Sequence, residues 1–263
     1  MKLPIPCSQC LFVEENDSQW HDWRPVNDTC IYEVTCPQGH NSMMVVQNFK
    51  FELLFESGIK ALKDGYYREA TTTFAVALER FYEFSIIFLL IDKLANYETQ
   101  QINEEGLRNF EKFWKTPLKL SERQLGAFYA LYFDEFGESP MILDQSFSKR
   151  MRHAVVKDPV NFRNRAVHEG YIPTHEETVE YGEAVHLYIN SLLDIYHGKS
   201  SRNIYSVFNL VSVVNTGLAL IRSGRDIKQI PASNYETFIN SVHPDYYSNA
   251  QPLREYIENG PRR

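Results

Sequence analysis

From Phe49 onward the chain repeats apolar residues at the spacing of an amphipathic helix, and this periodicity constrains the fold more than any other feature. Phe51, Leu54, Phe55, Gly58 and Leu62 share one face before Asp64-Gly65 breaks the run. A longer helix follows with Phe74, Ala77, Leu78, Phe81, Ser85 and Phe88 on one side, so the two form a helical hairpin. No second copy of this hairpin occurs, which argues against a repeat solenoid. Leu107, Phe110 and Trp114 mark a further helix, and Leu125, Phe128, Tyr129, Tyr132 and Phe136 another, whose start reads as a capping box of Ser121 and Gln124. Aromatic stripes at this spacing belong to a core rather than to a base-stacking platform.

The second half carries its own punctuation. Asp158-Pro159 opens a helix and Gly170 ends it. Thr174 and Glu177 read as a second capping box, leading into a helix with Gly182, Val185, Ile189, Leu193 and Tyr196 on one face before Gly198. Phe208 to Ile221 reads as one more apolar helix, and the polar, proline-punctuated tail as short helices packed on the body. The fold class expected is all-α, a helical bundle with a small amino-terminal ribbon built on a short β hairpin. The domains are expected at 1–47, 48–198 and 199–263.

All four cysteines fall within the first 36 residues. Cys7-Ser-Gln-Cys10 is a two-residue knuckle, and Cys36-Pro-Gln-Gly-His40 reads as a second that ends in histidine. Cysteines spaced in this way point two thiolates at one ion, and Gly39 permits the tight turn before His40. The β-like run IYEVT lies between the knuckles, so the layout looks like a zinc ribbon. Cys7, Cys10, Cys36 and His40 are the expected ligands of one structural zinc. Cys30, six positions before Cys36, reads as a buried strand cysteine; an all-cysteine site that uses it stays open, and His21 is a further contender. A ribbon of about 45 residues buries too little apolar surface to fold unaided, so the metal is expected to supply much of its folding free energy.

The chain has 263 residues, 43% of them hydrophobic, and a formal net charge of -7, which argues against a protein coated in nucleic acid. The charge is uneven, however. Lys149, Arg150, Arg152, Lys157, Arg163 and Arg165 crowd a segment whose only acid is Asp158, a pattern that suits a phosphate backbone. Two prolines interrupt the first ten residues where a signal peptide needs an apolar run, and the apolar run from Phe84 to Ile91 is too short to span a bilayer. A soluble, cytoplasmic protein with no membrane association is the expectation.

Within that basic segment, NFRNRAVHEGYIP sets Arg163, Asn164 and His168 in one span. A guanidinium holds phosphate oxygens through a planar fork, and a neutral imidazole takes a proton from a ribose 2′-hydroxyl. Arg163 with its polar neighbour Asn164 and with His168, set among helices and followed by the Gly-Tyr-Ile-Pro-Thr exit, resembles the HEPN superfamily, whose ribonuclease members carry R-polar-x(3 to 5)-H. The resemblance covers roughly residues 49 to 198. It implies a bundle that dimerises so that Arg and His of both subunits line one cleft, and metal-independent RNA cleavage with Arg163, Asn164 and His168 as the catalytic set. It further implies a toxin or phage-defence role, with a cognate inhibitor or partner protein. Lys149, Arg150, Arg152, Lys157 and Arg165 are the candidate RNA-binding residues.

On a regular helix, five steps of about 100° place His168 about 140° around from Arg163. Convergence therefore needs the helix to end just before Gly170 or a counterpart across a two-fold axis. The competing reading from another class is a non-enzymatic dimeric module that binds nucleic acid or protein. Zincin, zinc deaminase, Walker and dinucleotide signatures are absent from the sequence.

Overall fold

The computed structural model describes residues 1–11, 20–151, 155–199, 203–227, 231–233, 239 and 252–259. Eleven helices and seven short strands are found among them. They group into two compact units, one of residues 1–48, 90–116 and 209–236, the other of residues 49–89, 117–208 and 237–263. Residues 90–116 and 209–236 fall in the first unit with the amino-terminal segment; each is an amphipathic stretch whose partner a one-dimensional pattern does not name.

The first unit is richer in strand than the single hairpin expected. β1 (Lys2–Pro6) pairs antiparallel with β2 (His21–Pro25), and β3 (Ile31–Thr35) with β4 (Asn41–Val46). β3 is the expected IYEVT run, with Glu33 and Thr35 exposed while Ile31, Tyr32 and Val34 are buried. Pro4 and Pro6 disguise β1, yet proline is tolerated in a strand whose N–H side is left without a ladder partner. β5 (Ala95–Asn96) and β6 (Gln101–Ile102) form a minimal antiparallel pair, and β7 (Ala232–Ser233) joins β4 in parallel. Ile31, Val45 and Leu220 make a buried cluster over this sheet. The unit also holds α1 (Ser8–Leu11), α4 (Ile91–Leu94) and α5 (Glu104–Lys115), the last started by Asn103, whose side chain accepts from the Gly106 N–H at 3.1 Å. Glu111 on α5 is buried and ion-paired with Arg222, 2.8 Å away.

The second unit is the helical body. α2 (Lys50–Lys63) and α3 (Tyr67–Leu89) form the predicted hairpin through Asp64-Gly65. Leu53 and Ile59 are buried where the pattern pointed to Leu54, which is only half-buried. Phe51 meets Phe81 edge-on at 5.2 Å, and Phe55 lies 4.7 Å from Phe74. Phe74 sits so tightly that a Cβ on Gly58 of α2 would fall 2.6 Å from its ring and one on Gly182 of α9 (His175–Lys199) 2.8 Å. Both glycines therefore act as notches for one aromatic ring.

The remaining helices are α6 (Ser121–Phe136), α7 (Gln145–Met151), α8 (Pro159–His168), α10 (Ile204–Arg222), which contributes residues to both units, and α11 (Leu253–Asn259). The expected Ser121 capping box does not form. Leu120 occupies the N-cap without a side-chain bond, and Gln124 instead donates to the Leu118 carbonyl at 2.8 Å and accepts from Arg80 at 3.2 Å. A half-buried arginine partner outcompetes the local cap. The Thr174 and Glu177 box does form, with Thr174 N–H to Glu177 at 2.8 Å and Glu177 N–H to Thr174 Oγ1 at 3.3 Å. α9 is buried on most sides, and His186 lies inside the core at 1% exposure. α10 is long and apolar enough to cross a membrane by length and composition alone, although half of that window is buried in the fold. Most of the tail beyond 233 lies outside the described residues.

Candidate functional site

In the first unit the four expected metal ligands come together. The donor atoms of Cys7, Cys10, Cys36 and His40 all lie within 4.8 Å of one another, close enough to share one metal ion. Cys10 Sγ is 3.6 Å from Cys36 Sγ and 3.5 Å from His40 Nδ1. Local structure explains the convergence. Cys7 directly follows β1, and the single turn of α1 carries Cys10 back over it. The second knuckle is a reverse turn in which the Gly39 N–H donates to the Cys36 carbonyl at 2.9 Å and the Cys36 N–H to the His40 carbonyl at 3.1 Å. Gly39 adopts a left-handed φ of 82°, as the turn requires.

The thiols are electrostatically unequal. Burial works to raise the Cys7 pKa, but hydrogen bonds from the Ser42 hydroxyl and from the Cys10 and Gln9 N–H groups bring it down to about 6. Cys10 is pushed up to about 12 by desolvation and by its neighbours Cys36 and Cys7. One thiolate is thus favoured and a second opposed, which is the imbalance that a divalent cation relieves.

Cys30 takes no part in the cluster. It precedes β3 in a left-handed conformation with φ 54°, and its thiol lies 3.6 Å from the Asn27 carbonyl. It is buried as expected, but at a turn rather than within a strand. His21, on β2, is outside the cluster as well.

In the second unit, α8 carries the motif. Asp158 caps it by accepting from the Asn161 N–H at 3.0 Å, and Pro159 fills the first helical position, as the sequence predicts. At the other end Gly170, with φ 74°, lets the Tyr171 N–H reach back to the Arg165 carbonyl at 3.1 Å. Helix α3 holds α8 at two points. Arg68 Nε donates to the Ala166 carbonyl at 3.1 Å, and Glu79 accepts a hydrogen bond from the Arg163 guanidinium. Eleven residues are about three turns, so Arg68 and Glu79 share a face of α3. Arg163 also donates to Asn164 Oδ1 at 3.0 Å.

Arg163, Asn164 and Glu79 line a cleft of about 320 Å³, walled by Tyr82 of α3, Leu125 and Tyr129 of α6, Ile142 and Leu143 of the following loop, and Tyr181 of α9. The sequence does not single out these tyrosines, since their spacing reads as core. Burial raises the pKa of Tyr181, with Arg163 acting against the rise. His168 is exposed in the last turn of α8 and does not line this cleft. The cleft therefore brings together Arg163 and Asn164 but not His168, as the 140° offset on a straight helix demands.

Lys149 and Lys157 are exposed. Arg165 lies over the Tyr171 ring at 3.9 Å, and Tyr171 donates to Glu177 at 2.7 Å, so this arginine is already engaged. The side chain of Arg150 and all of Arg152 lie outside the described residues. Buried Glu180 accepts the N–H groups of Val155 and Val156 at 2.8 and 2.7 Å, tying the loop before α8 to α9.

The chain matches no protein-family model, no characterised protein sequence and no solved structure.

Proposed function

We propose that the protein is a metal-independent endoribonuclease of HEPN type that works as a homodimer in the cytoplasm, in a toxin or phage-defence setting with a cognate inhibitor or partner protein. The observation that carries this reading is the Arg163 guanidinium, fixed by Glu79 and Asn164 at an open cleft on the helix whose last turn exposes His168. Because one helix cannot aim both side chains at one point, each Arg163 would work with His168 of a second copy across a two-fold axis. His168 takes the 2′-hydroxyl proton, and the 2′-oxygen attacks phosphorus. Arg163 stabilises the charge of the phosphorane, and Asn164 orients the phosphate. The 5′-oxygen leaves with a proton, giving a 2′,3′-cyclic phosphate and a 5′-hydroxyl.

The amino-terminal cluster is assigned to structural zinc. Three thiolates and one imidazole are a closed tetrahedral N/S donor set of the kind zinc prefers. Its role is to hold the two knuckles together.

A second reading, a non-enzymatic binding module, draws on the ion pair itself, because Glu79 neutralises the charge that a phosphate would seek. One experiment separates them. Purified protein is incubated with total RNA in the presence and absence of chelator. Wild type should cut and His168→Ala should not, with cyclic-phosphate ends in the products. RNA left intact by wild type across several pools rejects the enzyme.

A further inference from the structure

The first unit carries an open strand edge. β2 has β1 as its ladder partner and no other strand among the described residues. The hydrogen-bonding parity of that ladder follows from Val26, whose N–H donates to the Met1 carbonyl at 3.2 Å, next to the Lys2–Pro25 pair. Antiparallel bonds alternate along a ladder, so Asp22 and Arg24 turn their N–H and C=O groups toward β1, while His21 and Trp23 turn theirs away from it. Pro6 and Pro4, which face His21 and Trp23 in the register, have no N–H to give, as that parity requires.

The side chains match the open backbone. Trp23 is 63% exposed at the middle of the strand, and Asp22 and Arg24 flank it as an ion pair on the other face. Charges on an edge strand commonly repel a second strand. Here the two charges are of opposite sign and stand symmetrically about Trp23, so Asp22-Trp23-Arg24 is complementary to itself.

Antiparallel pairing of two copies centred on Trp23 sets Asp22 of each against Arg24 of the other. Moving the centre to Asp22 or to Arg24 instead sets like charges opposite each other, and parallel pairing brings them side by side. The Trp23-centred register alone is attractive. It also uses the open backbone: each Trp23 N–H meets the Trp23 carbonyl of the second copy, and each His21 N–H its Pro25 carbonyl. Pro25, lacking an N–H, ends the ladder there. A two-stranded ribbon is marginal in water, whereas the joined sheet passes the roughly three strands that a stable sheet needs.

We propose that the β2 edge is a docking surface for a second copy of this chain, which pairs with it antiparallel about Trp23 through an isologous interface. The surface lies within the first unit and stands independently of the ribonuclease reading and of any pairing through α8.

The test is sedimentation equilibrium of the full chain, purified without chelator, comparing wild type with Asp22→Arg, with Arg24→Asp, with an equimolar mixture of the two, and with a chain carrying both substitutions. Each single variant sets like charges opposite one another and should raise the dissociation constant about tenfold or more. The mixture and the doubly substituted chain restore opposite charges and should associate as wild type does. Trp23→Pro removes an N–H that the β1 ladder does not use, and should weaken association as strongly as a single charge reversal. A thermal melt reports the fold of each variant. Wild type that sediments as a monomer overturns the proposal, and so does a mixture that associates no better than its components. Where a single charge variant fails to fold, equal association of the Trp23→Pro and doubly substituted chains overturns it. An assembly equally tight in every variant runs through another surface, which overturns the proposal and leaves pairing through α8 standing.

Discussion

Glu79 and Arg163, 84 positions apart in sequence, form an ion pair that ties the middle of α8 to α3. Both side chains are about one-quarter exposed, so solvent screens the pair and its net worth to stability is small, about 0–1 kcal/mol. Its weight lies in aiming the guanidinium. Glu79→Gln should shift the unfolding free energy by less than about 1 kcal/mol in urea titration. RNA cleavage, where present, should fall by about tenfold or more, because a misaimed guanidinium loses its hold on the transition state. A variant with full cleavage, or one that no longer folds, contradicts this account.

The metal cluster predicts one ion per chain. Elemental analysis of protein purified without chelator should find close to one zinc, and Cys7→Ser or Cys36→Ser should lose it together with the ordered ribbon. Cys30→Ser should keep the metal, since the Cys30 thiol lies against the Asn27 carbonyl and stands outside the donor set.

His186 sets a pH limit. Burial lowers its pKa from 6.5 to about 3, so the folded protein holds the neutral ring while the unfolded chain takes up a proton below about pH 6.5. The contribution is intact above that value and is lost progressively as pH falls toward 3, at a slope of up to about 1.4 kcal/mol per pH unit. Urea titrations at pH 7, 5.5 and 4.5 should show wild type losing more stability on acidification than His186→Gln. Parallel losses in the two proteins would remove His186 from the explanation.

Phe74 and its two notches predict overpacking. Gly182→Ala would place a methyl against the Phe74 ring and Leu253, and should cost about 1–3 kcal/mol. Phe74→Ala should cost about 3–5 kcal/mol through the void it leaves. In the double variant the added methyl meets the void instead, so the two losses should be less than additive by thermal or urea unfolding.

Features fixed by a few neighbouring residues were readable in advance. The Cys7 and Cys10 knuckle, the Asp158 cap and the Thr174 box depend on side chains a few positions apart, and the structure reproduces them. Ser121 failed as a cap because Gln124 found Arg80, 44 positions away. Tyr181 escaped notice because its place in a buried helix face and its place at a cleft look the same in one dimension. The expectation of one hairpin failed similarly. β7 is two residues long and carries no periodic signal, so only its pairing with β4 reveals it.

That pairing also orders events in time. Val45 and Val46 are made nearly two hundred residues before their partners Ala232 and Ser233. Until then one edge of β4 offers unpaired backbone groups to any passing strand. The nascent chain is therefore most exposed to mispairing after its knuckles can close and before β7 is made, an interval that the ribosome, rather than the sequence around β4, determines.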